Sequence, residues 1–552
     1  MKKKIRVGLF IDEYYIPLWA YEMIKLIQES NHSEIKLVVV KKTQVKKTRS
    51  FIEKAWINRD ILLFFLYIKF ENVFFNYGPN AFELKNLKNI INCPEIEVKP
   101  KETKLSDYIL KEDIDKIEKY NIDVFIKLGF KILNEDILKT AKYGVWSYYH
   151  GDKKAIKGES FGVWEVLKQI SETSVKLQIL TENFGGGLKT YESFSSTDKV
   201  SIKRNVNNSY WKAKNIIPRK LEELYKLGEG HFFMRNKKWY KELVLNSIRP
   251  FEPPKTIELF KGLVINFRRY IIKKINRVFF FEQWILLFYF EKEQGISESF
   301  ERFVRIFPPK DRDWADPFVI YKNNKYYIFI EELIYTENKG KISVFEMDKN
   351  GNYTKPVVVL EKDYHLSYPF IFEECGEIYM IPETSHNNSI DLYKCVKFPT
   401  KWKLIKVLND NILASDSTLL KYNEKYWLFT NYREQKGVSN NDELFLFYSD
   451  NLLEGEWNSH PQNPIVSDVK CARPAGKIFV FKDKFYRPGQ NCSNHYGYGM
   501  QISEIVVLNE HVYEENHVQS INPNWNKDIK STHTLNFSGG LTIIDARVKR
   551  KK

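Results

Sequence analysis

The sequence predicts a multidomain chain, with an α/β domain first and an all-β five-bladed propeller last. Two patterns carry that prediction. Over the first part, apolar strand-like runs alternate with amphipathic helical segments, the order that gives a parallel sheet with covering helices. From about residue 279 helical period fades, and one motif recurs about every 50 residues, the period of propeller blades. Composition agrees: of 552 residues, 43% are apolar and 28% charged, which excludes wholesale disorder. Aromatics at 15% suit pleated sheets and surfaces on which sugars stack.

In chain order, Ile5 to Ile11 (IRVGLFI) reads as a buried strand, followed by a helix through Tyr21 to Gln28. Glu34 to Val40 is a second strand, Asp107 to Tyr120 a helix, and Val124 to Leu128 another strand. These place the α/β domain at 1–225 and a basic helical connector at 226–278. Pro250, Pro253 and Pro254 break the connector. Thr256 to Arg277 then has helical period with apolar and basic faces; it suits either an anionic membrane surface or a linker helix packed between domains.

The propeller is expected over 279–548. Its repeats open at Asp316, Tyr368, Asp416 and Arg473, each followed by an apolar strand, a polar turn and an aromatic strand. A last unit around Thr532 to Val548 would close the ring, with His533 near its start. The innermost strand of each blade lines the channel, so these residues, distant in sequence, should meet in one polar pocket.

Lys plus Arg is 86 against 70 for Asp plus Glu, a net charge of +16. The surplus favours acidic partners: nucleic acid, an anionic membrane, or phosphorylated small molecules. No Arg/Gly tract, zinc-finger spacing or RNA-binding aromatic motif is present, so nucleic acid is not an expected partner. Cys93, Cys375, Cys395, Cys471 and Cys492 lie far apart without a CxxC pair, which argues against a zinc site or a disulfide framework. Neither a metal nor a cofactor is expected, and the opening strand lacks a complete dinucleotide-binding GxGxxG. Asp12 and Glu13 cut short the first apolar run, and Val278 to Phe290 contains Glu282 and Gln283; neither stretch suits a secretory signal or a bilayer span. A cytoplasmic protein, peripheral at the inner face of the membrane, is the expected location.

Three resemblances sharpen this. Asp316-Pro, followed by a strand, a turn and Lys-Tyr-Tyr, resembles the first blade of five-bladed glycoside hydrolases of family 43. The resemblance implies Asp316 as general base. Asp416 stands where those enzymes carry the acidic Glu, and Glu383 closes Ile378 to Glu383; either would be acid or charge-setting group. Residues 280 to 548 are similar to the N-terminal domain of plant glucosamine inositolphosphorylceramide transferases and bacterial relatives. Carrying that likeness are Trp314-Ala-Asp-Pro-Phe, Tyr368-Pro-Phe, Ala414-Ser-Asp-Ser, Arg473-Pro-Ala-Gly and Tyr486-Arg-Pro-Gly-Gln-Asn-Cys. It implies a nucleotide sugar or lipid-linked sugar as substrate. Arg473, Arg487 and Gln490 would hold its anionic or hydroxylated part, with Trp314, Tyr368, Tyr496 and His533 lining the mouth.

Residues 123 to 190 resemble the formyltransferase domain, through Asp123-Val-Phe-Ile-Lys-Leu-Gly-Phe, Gly144-Val-Trp-Ser-Tyr-Tyr-His-Gly-Asp and Leu177-Gln-Ile-Leu. The family's Asn-x-His pair and downstream Asp align with Ser147, Tyr149 and Gly185. Ser147, Tyr149, His150 and Asp152 therefore mark a degenerate site, and formyl transfer is not expected. The function read from the sequence is carbohydrate chemistry in surface-polysaccharide or glycoconjugate assembly: transfer or cleavage of a sugar at the propeller mouth. The alternatives are a non-catalytic glycan-binding module and a sugar-nucleotide N-formyltransferase.

Overall fold

The structure is a computed structural model; it describes residues 2–42, 61–75, 78–103, 106–150, 162–182, 187–240, 243–244, 254–291, 300–434 and 437–552. The chain divides into two compact units, residues 1–268 with 436–438, and residues 269–435 with 439–552.

The first unit is built on an eight-stranded sheet. Its elements are β1 (Ile5–Ile11), α1 (Leu18–Glu29), β2 (Ser33–Lys41), α2 (Leu62–Phe74), β3 (Glu95–Val98), α3 (Lys111–Glu118), β4 (Val124–Lys127), β5 (Val145–His150), β6 (Glu172–Leu180), β7 (Gly187–Ser196), α4 (Ile202–Tyr240), β8 (Leu243–Val244) and α5 (Thr256–Phe279). The last of these crosses the division between the units. Strand order is β8-β7-β6-β5-β4-β1-β2-β3. Alternation along β1 explains the layers. Val7, Leu9 and Ile11 face Met23, Ile24 and Ile27 of α1, whereas Phe10 packs on the other side with Ile114 and Ile117 of α3.

Two expectations change here. The segment β5-β4-β1-β2-β3 is parallel, but β6, β7 and β8 extend it antiparallel. The sheet is mixed because β6 pairs antiparallel with β5, and β7 and β8 continue in the same sense. The helix expected over 107–120 covers only 111–118, since Ser106–Tyr108 pairs as a strand. Asp107 is buried there, accepting from Lys41 Nζ and Lys131 N at 2.8 Å each.

The second unit consists of five antiparallel sheets. Sheets I to IV run from Arg312–Lys322 to Val357–Leu360, from Ser367–Glu374 to Lys401–Asp410, from Ala414–Tyr422 to Asn458–Ser459, and from Arg473–Pro474 to Tyr513–Ile521. Sheet V takes Phe280–Phe290 and Val304–Ile306 from one end of the unit, and Ile529–Ser531, Leu535–Ser538 and Leu541–Lys551 from the other. Phe280 pairs with Lys551 and Phe290 with Leu541, so the two ends of the unit share one sheet. Sharing one sheet pairs the two ends of the unit with each other and leaves neither as a free strand edge.

Each sheet contains one two-residue hairpin: Asn323-Asn324, Cys375-Gly376, Asn423-Glu424, Lys482-Asp483 and Gly539-Gly540, all at positive φ. These are the polar turns of the repeat, and two consecutive left-handed residues match the twist of the flanking strands. In sheets I, II and III the opening residue sits in a bulge, with φ of 49° at Asp316, 44° at Tyr368 and 52° at Asp416. A bulge re-aims a side chain, and non-glycine residues held left-handed gather at functional sites.

Hydrogen bonds link the sheets in cyclic order. Asp316 N donates to Asp545 Oδ2 (3.0 Å, V to I), and Tyr368 N to Asp316 Oδ2 (3.2 Å, I to II). Tyr368 Oη and Thr418 Oγ1 are 2.9 Å apart (II to III), and Arg473 Nε donates to Asp416 Oδ2 (2.6 Å, III to IV). Leu535 N donates to Ala475 O at 2.8 Å, closing IV to V. Gly476 (φ 129°) sits at that junction, where a Cβ would lie 2.0 Å from Leu535 O.

Candidate active site

The strand openers meet where these hydrogen bonds pass. Asp316 is 3% exposed and accepts Thr534 Oγ1 on Oδ1 at 2.7 Å. His533 Nε2 lies 3.8 Å from the same oxygen. Burial pushes Asp316 up to about 7; His533 restrains that rise, and the charge of Asp416 adds to it. Asp416 is 2% exposed and is likewise pushed up to about 7, first by burial; Arg473 works against the rise and Glu383 with it. Its Oδ2 takes Arg473 Nε and Gln490 Nε2, the latter at 2.7 Å.

His533 is fixed on three sides. It stacks on Trp284 (centroids 4.2 Å, 16°), and Tyr496 meets it edge-on at 5.4 Å. Its Nδ1 lies 2.6 Å from Asp545 Oδ2, an ion-pair contact off the hydrogen-bond line. Burial alone would lower its pKa; Asp545 and then Asp316 overcome this and raise it to about 9. His533 is therefore an imidazolium at neutral pH. Asp545 also accepts the backbone N–H groups of His533, Thr534 and Asp316 (2.9, 3.1 and 3.0 Å). Asp316, His533 and Asp545 present ligand atoms within 4.8 Å of one another, but the Asp545 carboxylate is already taken up by these N–H groups and the imidazole. Asp545 thereby fixes the backbone of the strand opener Asp316 and of His533-Thr534.

In the native ring His533 keeps a proton from its ordinary 6.5 up to about 9, which the unfolded chain has lost. Stability from His533 is thus fully present below pH 6.5 and lost as pH rises through about 9. Asp316 and Asp416, raised from 3.8 to about 7, make stability fall over that lower window too. Thermal melts are expected to drop between about pH 6.5 and 9, and His533→Gln to flatten that limb. An unchanged slope in the variant would show that His533 does not carry the proton.

The rim is more open. Glu383 accepts Ser385 Oγ at 2.8 Å and Arg473 Nη2 at 3.2 Å. Tyr496 is 42% exposed, with its ring 4.9 Å from the Arg473 guanidinium carbon. His365 Nε2 is 3.2 Å from Glu331 Oε1, and its Nδ1 accepts Gly340 N at 2.9 Å. Burial works to lower its pKa, but Glu331, Glu383 and Asp316 raise it above the ordinary histidine value.

The structure thus brings together Asp316, Asp416, Glu383, Arg473, Gln490, Tyr496 and His533. Four placements differ from expectation. Arg487 is bound to Glu515 within sheet IV, at 2.8 Å from Nε and 2.7 Å from Nη2, because a buried guanidinium needs a partner carboxylate. Arg473 is held on all three nitrogens by Asp416, Asn441 and Glu383, so it sets charge among carboxylates and does not present a fork to an anion. Trp314 packs in the apolar core and donates Nε1 to Glu332 at 3.1 Å. Tyr368 is fully buried and braces Thr418 and Gly476 through its hydroxyl. Sequence reasoning missed Asp545, His365, Glu331 and Asn441. Asp545 had a signal, a lone carboxylate inside the apolar run Leu541-Thr-Ile-Ile-Asp.

In the first unit Ser147 is buried on β5, beside Lys127 of β4. Lys127 is itself pulled below the ordinary lysine value by burial, with Asp12 and Asp107 opposing. Tyr149 and His150 belong to β5 by backbone; their side chains, Asp152 and Gly185 lie outside the described residues.

The axial residues fall inside a stretch with known relatives. Residues 310–537 match the family "Glucosamine inositolphosphorylceramide transferase 1, N-terminal". That span holds every opener and His533, and ends before Asp545. The chain is 37% identical over 204 residues to glucosamine inositolphosphorylceramide transferase 1 of Oryza sativa subsp. japonica, and 35% identical over 204 residues to that of Arabidopsis thaliana. The match covers 36% of this chain but only 27% and 26% of those relatives, so the chain spans about a quarter of their length. Among solved structures, a thermostable family-43 glycoside hydrolase is similar at TM-score 0.30 and 15% identity, over 38% of this chain and 77% of that one.

Proposed function

We propose that the second unit is a five-bladed propeller enzyme of glycoconjugate assembly, transferring or cleaving a sugar unit at its axial cluster. One observation carries the reading. Two aspartates from separate sheets, each nearly buried and pushed up to about 7, stand with the His533 imidazole, whose edge-on neighbour Tyr496 is 42% exposed. A carboxyl near neutrality takes or gives a proton at working pH. Asp316 is the base, and Asp416 or Glu383 acts as acid or sets its charge. Asp316, Asp416, Glu383 and Asp545 outnumber Arg473 and His533, the two cations in their midst. Such a site favours donors, as the hydroxyls of a sugar are, over a free phosphate. Tyr496 offers the flat face on which a pyranose stacks.

The relatives' name points to a sugar passed to an inositolphosphoryl lipid, and this chain is proposed to use a nucleotide sugar or lipid-linked sugar in the same chemistry. Incubation with a panel of nucleotide sugars and an inositolphosphoryl lipid, read by mass spectrometry, is expected to give a glycosylated lipid or a released sugar. Failure to bind any sugar in parallel titrations would overturn the reading. A second reading, a glycan-binding module without catalysis, is favoured by the restriction of the match to about a quarter of each relative. Saturable sugar binding without turnover would select it.

A further inference from the structure

Helix α2 of the first unit, and helix α5, which runs from the first unit into the second, carry apolar faces that the axial site does not use. Helices α2 and α5 bury one face in the same cluster: Phe64 and Leu259 meet Val163, Val166, Leu167 and Ile202 there, with Leu63, Tyr67, Ile68 and Leu263 packed around them. Their outer faces remain apolar and open.

Seven of the exposed apolar residues of α5, Ile257, Phe260, Val264, Phe267, Ile271, Ile275 and Val278, recur every three or four positions and form one stripe along the helix, while Ile265, Tyr270, Ile272 and Phe279 are exposed outside it. Ile257 is 70% and Phe267 67% exposed. On α2 the exposed residues Leu62, Phe65, Leu66, Phe70, Val73 and Phe74 cover about half of the helix circumference, with Phe70 and Phe74 stacking at 4.4 Å. This stripe is not a loose end. Glu71, on the opposite side of α2, is buried and accepts Ile202 N at 3.0 Å and Lys203 N at 2.8 Å, the first N–H groups of α4. A carboxylate at a helix N-terminus satisfies orphan donors and the dipole together, so it fixes which face of α2 turns outward.

Charge decides what covers these stripes. Between Thr256 and Phe279, α5 has Lys261, Arg268, Arg269, Lys273, Lys274 and Arg277 against Glu258 alone. At 100° per residue, Lys261 and Arg268 border the stripe on one side and Lys274 on the other. A second copy packed stripe to stripe would set these cations against their own kind. An anionic lipid surface meets them with opposite charge, while the apolar side chains enter the boundary between headgroups and acyl chains. No helix among the described residues is long and apolar enough to cross a membrane; the arrangement suits lying on one.

We infer that the outward faces of α2 and α5 form a docking surface for an anionic bilayer. The inference is independent of sugar chemistry, and its test uses vesicles free of glycolipid. The full chain is floated with liposomes of phosphatidylcholine alone, or mixed with phosphatidylglycerol, at low and high salt. Expected is flotation with the anionic liposomes only, weakened by salt. Phe267→Glu/Ile271→Glu and, separately, Lys261→Glu/Arg268→Glu should each lower it about tenfold or more, with wild-type melting curves. Three results would overturn the inference: no flotation with anionic liposomes at low salt, equal flotation of the charge-reversed variant, or a concentration-dependent dimer that the apolar variant disperses while no liposome binds.

Discussion

Asp316→Asn is expected to lower turnover about 10²–10⁴-fold, the usual contribution of a general base, while leaving the ring folded. The local bonds allow the exchange. Asp316 accepts Tyr368 N on one oxygen and Thr534 Oγ1 on the other. An asparagine oxygen takes over the first bond, and its amide donates to the threonine hydroxyl, which reverses its own role. What is lost is a carboxyl that titrates near 7. Ionising that buried group works against the fold above its ordinary range, so melting at about pH 8 should be no lower than in the wild type. The measurement pairs product formation with sugar binding and a melt at that pH. Binding kept and turnover lost identifies Asp316 as the base. Wild-type turnover in the variant would sink that role, and a wild type that binds sugar without turnover makes the ring a recognition module.

The architecture was legible where local chemistry repeats. The tight turn of each sheet needs two left-handed residues, so Asn-Asn, Cys-Gly, Asn-Glu, Lys-Asp and Gly-Gly pairs stand between its paired strands. That regularity survives divergence of the rest. Openers were legible for a related reason: Asp316 and Asp416 are polar residues at the head of an apolar strand, at the same distance from the turn. Tyr368 shares the position but not the role. Its full burial depends on Gly476 and Thr418 from sheets far along the chain, which periodicity does not reveal.

The partners of the site were less legible, because pairing between sheets far apart in sequence is a property of the assembled second unit. Nothing local to Arg473 distinguishes an arginine that grips substrate from one already held by Asp416, Asn441 and Glu383. Arg487, close by in sequence, finds Glu515 instead. In the first unit, the antiparallel continuation of the parallel sheet rests on the pairing of β5 with β6, strands more than twenty residues apart in the chain, which local periodicity does not reveal.

Arg473→Met should cost about 3–5 kcal/mol of ring stability, the usual penalty for leaving a buried charge without its partner. Both carboxylates it serves are nearly enclosed, Asp416 with 2% and Glu383 with 11% of the side chain exposed. Methionine matches the length of the aliphatic stem but supplies none of the four N–H contacts to Asp416, Asn441 and Glu383. The loss must therefore depend on whether the carboxylates are ionised. Asp416, already pushed up to about 7 with the arginine present, rises further without it and is neutral in mildly acid solution. The stability deficit should be larger at about pH 8 than at about pH 5. Adding Asp416→Asn to Arg473→Met removes one stranded charge, so the double variant should be less destabilised than the two single losses added together. Denaturant unfolding of the four proteins at both pH values measures this coupling. A loss that is equal at the two pH values and additive with Asp416→Asn would mean that Arg473 contributes only volume, and the charge-setting role assigned to it would have to be given up.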